Sequence, residues 1–527
     1  MLAADEGRST VNTCVIGVDS STTATKVVAF DLDGTVISMS SCQIESFTDM
    51  PGRVEQDAAR WWESLCIACR SVVDSEEVGL YSISGLAITH QRFTFVPVDD
   101  DLRPLRRAIL WNDQRCAEEA AYARNIDVDG SIYRRTGYPP GQWSLYKWLW
   151  LKKYEPALYE KTYKILLVHD YLAYHLTGEL ATSESTAAMT GALDIEAKST
   201  WAIEVMEQVG VRSDVWVTPI LSAGTSIGSV TVEASRQTGL PRGLPVIAGA
   251  GDQPCGSLGA GIVAEGQLGI NGGTSCSNEF VSRDLPILER PDYFVEINPA
   301  GGYLVENDIP SGGSAVANWY RDRFHREHKA GEVANKVWNK IYGSLAQTIP
   351  GNHGFMIVPY LQGVYGPYWD QNATAVSLGM RHNHGQKELI RALLEGVAYE
   401  SRREVDLIRE GTGIDVEEIR MYGGSVKSEH WNRLFADMYG IAVLVPKTVE
   451  ATALGAAIIA AVGSGAIDSF AGAVSRMTGV GFSYDPEPRN TAIYDRFYRS
   501  VYLELYDRVR DLVDRIARIN QDLDTEG

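Results

Sequence analysis

Residues 14–38, CVIGVDSSTTATKVVAFDLDGTVIS, decide the fold. Two apolar runs, VIGV at 15–18 and VVAF at 27–30, flank a turn rich in hydroxyls, and an Asp-Gly pair at 33–34 starts a third run. That spacing predicts three antiparallel strands joined by tight turns. A phosphate loop of the Walker type needs a helix directly after its glycine turn, and none follows here. The run DAARWWESLCIACRSVV at 57–73 has helical spacing, and ISGLAIT at 83–89 is again a strand. Strands, helix, strand is an α/β layout.

The same order returns at 266–282, GQLGINGGTSCSNEFVS, where a glycine and hydroxyl turn again separates two strands. The chain thus has two architecturally similar halves, without enough identity to define a sequence repeat. Its 527 residues exceed what one core usually fills, so two domains are expected. The boundary falls near Gly259–Gly261, in AGAGDQPCGSLGAG at 248–261, where glycine freedom suits a hinge. The expected divisions are a tail at 1–13, an N-terminal domain at 14–259, a C-terminal domain at 260–470 and a helical extension at 471–527. The last rests on RFYRSVYLELYDRVRDLVDRIARI at 496–519, which is amphipathic at helical spacing.

The composition is that of a globular chain, 45% hydrophobic and 22% charged, able to bury a large core. Acidic residues exceed basic ones by 68 to 48, and a formal charge of −20 argues against nucleic acid or an anionic membrane surface as partner. The start, MLAADEGRST, lacks a secretory pattern, and the small-residue run at 451–463 is too short to cross a bilayer. Seven scattered cysteines suit a reducing cytoplasm. Cys66 and Cys69 form a lone C-x-x-C inside a helical run, which favours buried helix cysteines over a metal site. The oligomeric state stays open, with a homodimer among the options.

Four segments carry chemistry. In DSSTTATK, 19–26, backbone amides and the Thr22 and Thr23 hydroxyls are able to face phosphate oxygens, with Lys26 as a cation and Asp19 as a holder of hydrated Mg²⁺. Taken alone, the turn reads first as a plain Ser/Thr hairpin. In NGGTSCS, 271–277, Gly272 and Gly273 permit close approach to a phosphate, though Gly-Gly-Thr is also a common hairpin sequence. Two such turns, one per half, are expected to clamp a polyphosphate across a cleft. Asp252 follows an apolar strand and is a candidate general base; the competing reading is a turn or helix cap. Gly423 and Gly424 sit at a strand-to-helix turn that lets a flat ring lie against the backbone, with the next helix starting near Ser428. The Gly/Ala helix at 451–463 also fits close packing against a sheet.

In this order the segments resemble the FGGY carbohydrate kinases over residues 14 to 465. The resemblance rests on VDSSTTATKVVAFD, AILWNDQR, GAGDQPCGSLGAG, NGGTSCS and YGGSVKSEHWNRLFADMYG with EATALGAA after it. It implies two actin-like domains with RNase H-like cores and mixed sheets flanked by helices, with ATP and a small sugar or polyol meeting in the cleft between domains. It implies phosphate contacts from Thr22, Thr23, Lys26, Gly272, Gly273 and Thr274, an adenosine motif at Gly423 and Gly424, and Asp252 as catalytic base. Gln253, Trp111, Asn112 and Asp113 match sugar-side positions, with Arg115 completing the motif, and ATP with Mg²⁺ at Asp19 are the implied cofactors. Ser21 stands where the family usually has glycine.

The substrate signal is mixed. ILWNDQR resembles the xylulokinase form, whereas THQRF at 89–93 puts Arg92 where xylulokinases tend to have histidine and Phe93 where a glutamate often follows. Val364 and Tyr365 replace a charged pair. A ketopentose such as xylulose is the first expectation, with autoinducer-2 or another polyol second. From another class, a nucleotide-binding regulator on an actin-like fold would not need a carboxylate, an amide and two phosphate turns together.

Overall fold

The computed structural model describes residues 12–286, 288–324 and 332–526. The chain forms two compact units. The first holds the described residues up to Gly261 together with Glu296–Gly301 and Thr452–Thr478, and the second holds the remainder.

The first unit is built on a six-stranded sheet in the order Ser226–Ser229, Pro245–Gly251, Tyr81–His90, Asn12–Ser20, Ala24–Asp31, Val36–Gln43. The last three strands are the antiparallel meander predicted from residues 14–38, and Asn12–Ser20 runs parallel to Tyr81–His90. Along Asn12–Ser20 both faces are covered, as a parallel sheet requires. Ile16 and Val18 point into the core formed with the Ala58–Val73 helix, which buries Trp61, Leu65, Ala68, Cys69 and Val72 at helical spacing. Asp57 caps that helix, its carboxylate accepting the Ala59 N–H at 3.0 Å. Gly17, on the opposite face, receives the Ala451–Gly463 helix so closely that a Cβ there would stand 2.0 Å from the Ala453 carbonyl oxygen.

That contact corrects the expected domain limits. Residues 452–478 pack with the first unit, because the small residues of the helix let its backbone press on Gly17. The expected extension at 471–527 is likewise not one helical piece. Phe470–Met477 belongs with the first unit, Val480–Tyr484 pairs antiparallel with Val443–Pro446, and helices Pro488–Phe497 and Leu503–Glu526 follow. The stretch read as hinge is mostly ordered helix, Asp252–Gly259. Cys66 and Cys69 lie on the Ala58–Val73 helix, and burial pushes both thiols well above their ordinary value.

The second unit repeats the plan. Its seven-stranded sheet runs Phe294–Ile297, Tyr303–Ile309, Cys276–Ser282, Gln267–Gly272, Glu418–Tyr422, Val443–Pro446, Val480–Tyr484. Three consecutive antiparallel strands again precede a parallel neighbour, Glu418–Tyr422 beside Gln267–Gly272. Among the described residues no helix is long and apolar enough to cross a membrane.

Candidate active site

In the first unit, register does the assembling. Gly251 lies level with His90 on parallel strands, and Ser20 lies level with His90 on the other side. The carboxyl ends of three adjacent strands therefore deliver Asp19, the Gln91–Arg92 pair and Asp252 to one rim, where α/β sheets commonly bind ligands.

Asp252 is the first residue of its helix, behind the N-cap Gly251. Its Oδ1 accepts the Gln253 N–H at 2.9 Å and faces Arg92 Nε at 3.4 Å. Burial pushes the carboxyl up to about 6, with Arg92 opposing the shift and Glu296 adding to it. The side chain keeps 36% exposure, which leaves part of the carboxyl open to solvent. Arg92, 10% exposed, donates from Nη1 to Glu296 Oε1 at 2.7 Å, and Tyr138 donates its hydroxyl to the same oxygen. Glu296 is fully buried, and its other oxygen, Oε2, has no hydrogen-bond partner among the described residues. Phe93, Tyr138 and Trp143 form an aromatic wall beside them, with centroids 4.5 to 5.9 Å apart.

The Ser21–Thr23 turn is tied to residues of the two segments expected to meet the sugar. Thr22 donates its hydroxyl to Gln91 Oε1 at 3.1 Å and accepts the Trp111 indole N–H at 2.9 Å. Gln56 joins them, donating to the Thr22 carbonyl at 2.6 Å and accepting from Gln91 at 3.1 Å and Trp61 at 2.9 Å. The Thr22 hydroxyl and Trp111 N–H thus serve each other, whereas Thr23 and Asn112 are exposed. Lys26 is the cross-strand partner of Asp19. Gln253 is buried beside Asp252.

Asp113, expected among the sugar contacts, is sealed from solvent. Its carboxylate accepts the Val54 N–H at 2.7 Å and three donors of Arg115 at 2.7 to 3.0 Å, so it holds the loop and presents no face to a ligand.

Sequence reading missed Lys147. Wholly buried, its ammonium donates to the carbonyls of Leu110 at 2.6 Å, Trp111 at 3.2 Å and Phe93 at 3.4 Å. One cation thereby fixes both the Arg92–Phe93 and Trp111–Asn112 loops, and burial lowers its pKa to about 8. Its only sequence signal is a lone basic residue within SLYKWLWL at 144–151. Glu296 and Tyr138 were missed as well; a single acid in the apolar YFVEI at 293–297 was the clue to the first.

In the second unit, Asn271 pairs with Tyr422 on parallel strands, so the two glycine turns leave neighbouring strand ends. They interlock: a Cβ on Gly272 would stand 1.7 Å from Ser425 Oγ. Gly423 has φ +88° and comes so near Asn271 Oδ1 that a Cβ would meet it at 2.5 Å. A Cβ on Gly424 meets nothing within 4 Å, leaving that backbone open to a ligand. Gly273 and Thr274 are held from behind, their carbonyls accepting the Ser314 and Ala315 N–H groups at 2.8 and 3.1 Å. Gly272, Gly273, Thr274, Gly423 and Gly424 are therefore one constellation.

Among the described residues no three His, Cys, Asp or Glu side chains converge as a metal cage. A single carboxylate such as Asp19 fits Mg²⁺, which keeps several waters and takes further ligands from phosphates.

Residues 14–259 match the FGGY family of carbohydrate kinases, N-terminal domain, and residues 268–464 match its C-terminal domain. The chain is similar to an autoinducer-2 kinase of Salmonella paratyphi A, 29% identical over 514 residues with 95% of each chain covered. It is also similar to a xylulose kinase of Staphylococcus epidermidis, 28% identical over 514 residues, covering 97% of this chain and 99% of that one. Of solved structures, the xylulose kinase from Rhodospirillum rubrum superposes with TM-score 0.85 at 26% identity, covering 95% and 100%. A gluconate kinase from Lactobacillus acidophilus gives 0.85 at 22%, covering 94% and 98%, a likeness of fold alone. The expected two-domain, actin-like α/β architecture is the fold these neighbours share. Matched over both of its domains in chain order, the protein belongs to the FGGY family of carbohydrate kinases.

Proposed function

We propose that this sugar kinase transfers the γ-phosphoryl group of ATP to a hydroxyl of a ketopentose such as xylulose, with Asp252 as general base. The observation that carries the reading is Asp252 itself. It combines a strand-end position, a carboxyl pushed up to about 6 and a neighbouring guanidinium at 3.4 Å. A base with that proton affinity is ionised at neutral pH and accepts a proton from a hydroxyl more readily than an ordinary aspartate. Arg92, Trp111, Asn112 and Gln253 are the proposed sugar contacts. The interlocked turns at Gly272–Thr274 and Gly423–Gly424 are the proposed nucleotide contacts, together with Thr22, Thr23 and Lys26. Asp19 is the proposed holder of Mg²⁺, an ion that when bound neutralises phosphate charge. The seven free cysteines favour work in a reducing cytoplasm.

A second reading, phosphorylation of autoinducer-2 or another polyol, is favoured by Arg92 and by the autoinducer-2 kinase relative. One assay separates the two: ADP release by the purified chain with ATP and Mg²⁺ over ketopentoses, glycerol, tetritols and the autoinducer-2 precursor. The first reading expects the highest kcat/KM on a ketopentose. A polyol or the precursor ahead of every ketopentose selects the second, and no release above background on any of them overturns both.

A further inference from the structure

Glu296 has no part in the general-base reading, yet it is a fully enclosed charge next to the base. One oxygen takes Arg92 Nη1 and the Tyr138 hydroxyl; the other, buried, is unmatched among the described residues. Arg92 is thus shared between two carboxylates, at 2.7 Å from Glu296 and 3.4 Å from Asp252. One cation against two anions leaves the group with a net formal charge of −1, and its aromatic surround of Phe93, Tyr138 and Trp143 adds no charge. An arginine positioned to receive a carboxylate from a ligand would bring an unmatched charge to it; here Nη1 is held by Glu296 at 2.7 Å and Nε faces Asp252 at 3.4 Å, so the charge of Arg92 is already matched when a ligand arrives.

We propose that Glu296 is a specificity-determining residue, which occupies Arg92 and keeps the sugar site net negative, so that neutral polyhydroxy substrates enter and sugar acids are refused. The proposal rests on the sugar-kinase reading of the same site and narrows its substrate class. A second carboxylate brought to about 6–8 Å of one uncompensated charge, at the effective dielectric of a protein site, is disfavoured roughly 30- to 100-fold. Specificity of this kind comes from a repulsive element rather than from an added contact.

Glu296 also acts on Asp252. Among the described residues, the charged side chains that act most strongly on Asp252 are Arg92, from the loop after Tyr81–His90, and Glu296, from the Glu296–Gly301 segment, with the Cys255 thiol beside it on its own helix. Burial raises the Cys255 thiol, leaving it neutral, so Glu296 is the one anion among them. Removing its charge must lower the proton affinity of Asp252.

The test pairs each neutral sugar or polyol with the aldonic acid of the same carbon chain, for example xylitol with xylonate and erythritol with erythronate. Ligand-induced melting shifts and ADP release are read for the wild type, Glu296→Gln and Glu296→Asp. In the wild type the neutral member is expected to raise the melting temperature and the acid not to. Glu296→Gln is expected to shrink the neutral-over-acid preference at least tenfold and to move the acid limb of kcat/KM to lower pH. Glu296→Asp, which keeps the charge, should retain the preference, and it serves as the folded comparison if the Gln variant is unstable. An aldonate that binds the wild type within threefold of its neutral partner overturns the inference, whether or not any ADP is released. So does a Gln variant with unchanged preference and an unmoved acid limb. The melting shifts need no turnover, which keeps a failure of the kinase reading distinct from a failure of this one.

Discussion

Replacing Asp252 by asparagine removes the proposed proton acceptor while leaving most of its surroundings intact. The amide oxygen can still accept the Gln253 N–H, now at 2.9 Å, and Arg92 keeps its 2.7 Å partner Glu296. What disappears is the charge facing Arg92 Nε at 3.4 Å and the ability to take a proton. General-base catalysis is typically worth about 10² to 10⁴ in rate, so kcat should fall by that factor, a barrier higher by about 2.7 to 5.5 kcal/mol. Stability should move the other way. The carboxyl is raised from its ordinary 3.8 to about 6, so the folded state holds the proton more tightly than the unfolded chain does. The contribution of such a group to stability is complete below the unfolded pKa and is lost as pH rises through about 6. At pH 7.5 the ionised Asp252 therefore costs stability relative to its protonated form. The neutral Asn variant should melt no lower than the wild type there, even after losing a helix N-terminal charge worth about 0.3–1 kcal/mol. The assay is ADP release on the best panel substrate from pH 5 to 8.5, with a melting curve at each pH. The wild-type kcat/KM should decline on the acid side near pH 6. A folded Asn variant keeping more than about a tenth of wild-type turnover refutes the assignment.

Gly272→Ala places a methyl 1.7 Å from Ser425 Oγ and 2.9 Å from its Cβ, so Ser425 must turn away and the two proposed nucleotide turns lose their fit. KM for ATP should rise about tenfold or more while KM for sugar stays within threefold, by steady-state kinetics on both substrates. Lys147→Met leaves the carbonyls of Phe93, Leu110 and Trp111 without their shared donor. KM for sugar is expected to rise about tenfold and KM for ATP little, with partial recovery in Lys147→Arg; equal changes in both would mean a general loss of structure. Gly17→Ala drives a methyl to 2.0 Å from the Ala453 carbonyl and should destabilise by about 1–3 kcal/mol or more. Differential scanning calorimetry checks it, and an unchanged melting temperature would show that the helix yields at little cost.

The elements that sequence made legible are those written in local periodicity. Short continuous apolar runs around a hydroxyl turn made the meander legible, and a spacing of four, three and four carried the Ala58–Val73 helix. Asp252 was legible because an apolar strand ends immediately before it. What sequence concealed is long-range pairing. Arg92 and Glu296 lie 204 positions apart, and nothing near either announces the other. Asp113 misled for the converse reason: its motif neighbour Arg115 takes the carboxylate that a sugar was expected to use. Lys147 hid in a helix whose apolar neighbours explain it adequately until its three carbonyls are seen.

The return of residues 452–478 to the first unit also sets an order of manufacture. A ribosome that has released everything up to Gly261 has made all six strands of the first sheet but not the helix that lies on Gly17. The face bearing Val15 and Gly17 stays wet until some 200 further residues have emerged, a number fixed by the distance from 261 to 463. At about 5–20 residues per second, that is a wait of roughly 10–40 seconds. For that interval the nascent first half carries an uncovered apolar sheet face. A gene split at the 261–262 junction would yield a first piece that precipitates by itself and dissolves only when a peptide carrying 452–478 is supplied in trans.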